Sequence, residues 1–234
     1  MCGRYTQTAA TEALRKRFRF EPPPYELLPR YNVAPTQDAP VVTLREGKRR
    51  LELFQWGLIP SWAKDPKVGA RQINARCETA AEKPSFRRSF AKRRCLVLAD
   101  GFYEWKPVAP TLKWPMRVVL PSREPFALAG LWDEWRTPEG KTLRTFTILT
   151  TGAPPELLAL HDRVPVILPP EGEERWLDEE AKPAEVMTLL SPPARGTLLA
   201  YPVSPLVNSA KADVPDCIKE AEIPSASPGQ PPLF

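Results

Sequence analysis

Short apolar runs, several of them alternating with polar residues, dominate this 234-residue chain, and stretches with helical spacing are few and brief. The runs at 95–99, 102–105, 116–120, 126–132 and 145–150 follow one another closely. They predict five strands of an antiparallel sheet, one able to curl into a barrel. Upstream, 41–44 and 51–54 are joined through Glu46-Gly47 and read as a hairpin, and 164–168 predicts one more strand. Helical spacing appears at 9–18, where Leu14 and Phe18 lie four apart and Thr8 or Thr11 offers an N-cap. Further short helices are expected at 85–93, 154–160, 173–177 and 184–190, with a loop over 56–74. Thirty prolines fit this picture, because Pro removes a backbone donor and clashes inside a helix. The predicted class is mixed α/β of the α+β kind, with a β-barrel-like antiparallel core flanked by short helices.

The length suits one domain with a real core, taken as residues 1–221. From Glu222 the chain turns Pro/Ser/Gly-rich and loses any hydrophobic period, so 222–234 reads as a flexible tail. A net charge of +5 and a pI near 9.1 are compatible with a nucleic-acid partner, and the distribution says more. Lys64 to Arg94 holds ten basic residues against three acidic ones, whereas Glu171 to Glu185 holds seven acidic residues against Arg175 and Lys182. That asymmetry predicts one polyanion-facing surface and a solvated back. Cys2, Cys77, Cys95 and Cys217 form no CxxC pair, and a single histidine leaves no zinc set, so neither metal nor cofactor is expected. With no charged-then-apolar leader and no long apolar span, the chain reads as a cytoplasmic protein, without membrane contact, whose thiols stay reduced.

The candidate chemistry starts at Cys2. Once Met1 is removed, this residue carries an α-amine, titrating near ~7.7–8.0, beside a thiol near ~8.5. An aldehyde meeting both forms an imine with the nitrogen and then takes the sulfur at the same carbon, giving a five-membered thiazolidine. Any chain beginning Met-Cys has this chemistry in principle, so the other residues must decide. His161, in His161-Asp162-Arg163, is the one histidine and the natural proton shuttle at neutral pH. Glu104 interrupts an aromatic run; it is either on the exposed face of a strand or held in a cleft that raises its pKa. Asn74-Ala75-Arg76 offers an amide and a phosphate-gripping guanidinium, or else a turn with a helix cap. Trp56, Trp62 and Trp105 are candidates to stack on unpaired bases, or core residues. Tyr31 to Thr36 reads as a rigid polar loop.

Taken in order, MCGRY at the start, YNVAPTQ at Tyr31, WGLIPSWAKD at Trp56, NARCET at Asn74, RCLVLADGFYEW at Arg94, HDRVP at His161 and VSPLVN at Val203 resemble the SRAP family, the SOS response-associated peptidase-like abasic-site proteins. The resemblance implies a compact fold with a β-barrel-like core, a basic cleft for single-stranded DNA and a mature N-terminal Cys that traps abasic sites covalently. It implies a catalytic group of Cys2, Asn74, Glu104 and His161. Arg4, Asn32, Pro35, Trp62, Arg76, Trp105, Thr150 and Arg163 become DNA contacts. Val164 stands where Met is common in the family, a nearly neutral change, and Ala63 replaces a second Trp found in some members, which weakens one stacking surface. The expected partner is single-stranded DNA with abasic sites, bound by a monomer that associates with the nucleoid. A cysteine peptidase or amide hydrolase that removes its own Met1 is the alternative, and a non-covalent single-strand binding module is a third.

Overall fold

A computed structural model describes residues 2–223. Thirteen strands are present among them: β1 (Tyr5–Gln7), β2 (Arg30–Val33), β3 (Asp38–Arg45), β4 (Lys48–Trp56), β5 (Asn74–Arg76), β6 (Arg94–Ala99), β7 (Gly101–Ala109), β8 (Leu112–Val119), β9 (Phe126–Arg136), β10 (Thr142–Gly152), β11 (Arg163–Pro165), β12 (Ile167–Leu168) and β13 (Leu199–Pro202). The α-helices are short: α1 (Thr11–Phe18), α2 (Cys77–Ala80), α3 (Arg87–Lys92), α4 (Glu173–Leu177) and α5 (Pro183–Met187).

Strands β10, β4, β3, β6 and β9 pair in that order, and β9 pairs back onto β10, which closes a five-stranded barrel. Only the β4–β10 edge of this ring is parallel. Closure follows from period-two patterning. On β6, Cys95, Val97 and Ala99 join one buried cluster with Val41, Trp56, Leu128 and Phe146; Leu96 and Leu98 join another with Leu14 and Phe18 of α1, Phe90 of α3 and Trp176 of α4. The β3–β4 hairpin turns at Glu46-Gly47, both with positive φ (52° and 73°), the geometry a two-residue hairpin loop needs.

A second sheet runs β13-β8-β7-β1-β2 and supplies Cys2, Tyr5, Phe102 and Val118 to the first of these clusters. In it β1 is an interior strand, with Tyr5 opposite both Phe102 and Val33. Asp100 locks it there: its carboxylate accepts from the Thr6 hydroxyl (2.5 Å), the Thr8 amide and hydroxyl (2.5 and 2.7 Å) and Arg117 Nη2 (2.9 Å). Both members of the ion pair are buried.

Several expectations change. Neither threonine caps α1: the N-cap is Ala10, Thr8 is held by Asp100, and Thr11 accepts from the Leu27 amide. Residues 164–168 are two short strands, β11 on β10 and β12 on β9. Tyr31, Asn32 and Val33 belong to β2, so only the end of that motif is a turn, with Thr36 at φ 71°. Within the expected loop over 56–74, residues Pro66–Arg71 form a 3₁₀ helix. The last residues of the basic segment meet the acidic one. Lys92 pairs with Glu180 at 2.7 Å, and buried Arg94 donates to the carbonyls of Phe90, Ala91, Trp176 and Asp178. The expected tail lies, from residue 224, outside the described residues.

Removing one partner of a buried ion pair leaves the other charge uncompensated, so Asp100→Ala should cost about 3–5 kcal/mol of folding stability. Urea unfolding measures this; a loss below about 1 kcal/mol counts against Asp100 as the lock on β1.

Candidate functional site

Cys2 lies just ahead of β1 and is fully buried. Its carbonyl accepts from Asn74 Nδ2 at 2.7 Å, and its thiol donates to the Arg4 carbonyl at 3.6 Å. Asn74 reaches this point because β5 pairs in parallel with β10, Asn74 opposite Ile148. The 57–73 segment returns the chain there through a close backbone approach: a Cβ on Gly57 (φ 125°) meets the Gly69 carbonyl oxygen at 2.7 Å.

Glu104 is 5% exposed, which excludes the exposed-face alternative. Alternation along β7 sends it away from Tyr103, whose hydroxyl donates to the Tyr31 carbonyl at 2.7 Å. Burial pushes the Glu104 carboxyl up to about 7, with Asp162 adding to the rise. The field of Glu104 reaches Cys2, where burial first and this carboxylate second push the thiol above its ordinary range.

His161 follows the 3₁₀ turn Pro155–Leu157 and precedes β11. Its Nδ1 accepts from the Arg163 amide at 3.0 Å and lies 2.6 Å from Asp162 Oδ1. Burial lowers its pKa and Asp162 opposes the change. Asp162 is largely exposed and screened, so the lowering prevails. The Lys113 ammonium acts on both Glu104 and His161. Cys2, Glu104, His161, Asp162 and Lys113 therefore form one electrostatic neighbourhood. Lys113 carries no motif and was reached only through the β7–β8 pairing, in which it lies opposite Pro107.

The expected DNA-contact residues separate by exposure. Asn32 is fully buried, and its side-chain nitrogen donates to the carbonyls of Val207, Ser209 and Ala212 at 3.2, 2.9 and 2.7 Å. Arg4 bonds Asn32 Oδ1 and the Val207 carbonyl at 2.9 and 2.8 Å, and Trp105 Nε1 donates to Asn208 Oδ1 at 2.8 Å. These three fasten the 205–213 segment beside β1 and β2. Thr150 is buried and Arg163 bonds both it and Glu78. Trp62 is 62% exposed, Arg76 is exposed and Pro35 is half-buried. Trp56 stacks on Phe146 and meets Tyr5 edge-on inside the core, which removes it from any stacking surface. Among the described residues no group of three His, Cys, Asp or Glu is placed to hold a metal, and no helix is long and apolar enough to cross a membrane.

The family model described as SOS response associated peptidase (SRAP) matches residues 1–210. The chain is 45% identical over 223 residues to the abasic site processing protein YoqW of Bacillus subtilis, covering 94% of this chain and 99% of that protein. It is 31% identical over 275 residues to the abasic site processing protein HMCES of Rattus norvegicus, covering 95% of this chain and 77% of the relative. Among solved structures, a protein from Bacteroides thetaiotaomicron superposes with a TM-score of 0.86 at 27% identity, covering 94% of this chain and all of that one.

Because Glu104 holds its proton to about pH 7 in the folded chain and to its ordinary 4.5 when unfolded, its contribution to stability is full below 4.5 and is lost as pH rises through 7. Glu104→Gln removes that loss. Urea unfolding at pH 5 and pH 8 should show the variant gaining about 1–3 kcal/mol on the unsubstituted chain over that interval. Parallel profiles would place the carboxyl in an ordinary, solvated setting.

Proposed function

The chain belongs to the SOS response associated peptidase family, and on that premise we propose that it senses abasic sites in single-stranded DNA and cross-links to them through Cys2. The observation that carries the reading is the setting of Cys2: Asn74 on its carbonyl, and beside it a buried carboxyl balanced near pH 7.

Removal of Met1 gives Cys2 a free α-amine. Asn74 Nδ2 fixes the carbonyl of that residue, while Asn74 Oδ1 is buried with no partner among the described residues. An ammonium or amine N–H of Cys2 is the donor it lacks. The amine attacks C1′ of the ring-opened deoxyribose, a proton passes to the former aldehyde oxygen, and water leaves to give the imine. Sulfur then adds to the same carbon, and its proton ends on nitrogen. The net change is one C–N bond and one C–S bond formed and one water lost. A pKa of about 7 lets Glu104 donate to the departing oxygen in one step and accept from the thiol in another. The second role is needed because burial keeps the thiol protonated at neutral pH. His161 serves as the second proton carrier, for sugar opening and for reversal.

In this reading Arg76 grips a phosphate, Arg163 lines the same cleft, and Trp62 offers a stacking face. Arg4, Asn32, Trp105 and Thr150 act by holding the walls in place. Residues 1–221 form one domain, acting as a monomer on DNA in the cytoplasm. A cysteine hydrolase ranks second, since it works through a standing thiolate and burial moves this thiol the other way.

Cys2→Ala should abolish the heat- and denaturant-stable adduct while largely sparing affinity for undamaged single strands; Cys2→Ser should form an imine but no stable thiazolidine. Wild-type yields of stable adduct from Cys2→Ala would exclude the mechanism. In single-turnover gels at saturating protein, Glu104→Gln and His161→Ala should slow formation or release of the adduct by about 10²–10⁴. Wild-type rates for both would return the two residues to structural duty.

A further inference from the structure

A guanidinium has five N–H donors, and at Arg163 the protein already engages four. Nε donates to Thr150 Oγ1 at 3.2 Å, and Nη2 donates to the Thr150 carbonyl. Nη1 and Nη2 together hold the two carboxylate oxygens of Glu78, at 3.0 and 2.8 Å. This two-pronged geometry is also the one in which arginine grips a phosphate. Glu78 therefore occupies the fork that a strand's phosphate needs. Arg76 is close by, because β5 places it opposite Thr150 on β10.

The pair is unequally buried. The Arg163 side chain is 14% exposed and anchored to β10, whereas that of Glu78 is 51% exposed. The cation is fixed, and its counter-ion faces solvent at the first turn of a four-residue helix. An ion pair exposed on one side is weak, so an incoming phosphate can displace the carboxylate without disturbing the core.

We propose that Glu78 is a built-in competitor for DNA phosphate that sets how tightly the cleft holds undamaged single strands. The proposal rests on the DNA-binding reading above and adds a specificity residue to it. A strand must displace Glu78 to engage Arg163, which keeps non-covalent binding weak and lets the protein leave intact DNA. At an abasic site the bond to Cys2 holds the strand whatever the phosphate affinity. Selectivity for damage then comes from weakening the reversible step.

The test uses the full-length chain and a fluorescent oligothymidine without an abasic site, with the dissociation constant measured across a salt series. Glu78→Gln should bind about 2–5-fold tighter at low salt, as expected when a competing pair of this strength is removed. Its plot of log K against log salt should be steeper by up to about 0.7, the single-strand increment for one phosphate contact that the wild-type chain makes only in part. In an Arg163→Lys background, which has no fork, the same substitution should gain less than twofold. Glu78→Ala should act in the same direction as Glu78→Gln and covers the case where the amide disturbs folding. Unchanged or weaker binding by both variants, with thermal unfolding at the wild-type temperature, overturns the proposal and leaves the DNA reading intact. Absence of salt-dependent binding by the wild-type chain overturns both.

Discussion

The proposed chemistry depends on holding the Cys2 end of the chain still. The first residues of a chain ordinarily fray, because nothing continues on one side to hold them. Here the N-terminal strand is threaded between β2 and β7 in the interior of a sheet, with Asp100, Arg117, Thr6 and Thr8 bonded to one another beneath it. On its other flank Arg4 is bonded to Asn32 and to the Val207 carbonyl, and Asp213 accepts from the amides of Tyr31 and Asn32. With both flanks pinned, Cys2 has one place to be, and Asn74 meets its carbonyl there.

The same burial that orders Cys2 sets the electrostatics around it. Removing water penalises charge, so the thiol and the Glu104 carboxyl both shift toward their neutral forms. The two consequences fit together. A neutral thiol needs a base to add to an imine, and a carboxyl near pH 7 supplies one while also being able to act as an acid. The cations proposed to grip phosphate, Arg76 and Arg163, lie on β5 and β11, which both pair with β10. In the proposed reading Glu104 acts from β7 of one sheet and the phosphate grip comes from β5 and β11 of the other.

Much of this was legible in the residues. The alternation at 95–99 and 126–132 named the barrel strands because each side of the wall has its own apolar cluster. Cys2, Asn74, Glu104 and His161 stood out through their residue types and their motifs. What escaped depended on distant partners. Strands β1, β2 and β13 have three or four residues each and are defined by pairings across the chain, such as Tyr5 with Phe102. Arg94 counted as a surface cation in the composition, yet its donors face carbonyls over 80 residues away in sequence. Asn32 looked like a contact residue in a loop; only the return of 207–212 shows its amide to be saturated. Glu78 lies within NARCET, but its partner Arg163 is 85 positions along the chain, so the pair is invisible in the motif.

The account stands on the identity of the atoms that bond to the sugar. Mass spectrometry of proteolysed cross-links, formed with an abasic single strand and left unreduced, reads this directly. The account predicts one modified peptide, beginning at Cys2 without Met1, whose mass is that of peptide plus sugar fragment minus one water, with no free thiol at Cys2. An adduct on a lysine such as Lys113, or a cross-linked peptide that retains Met1, would contradict it.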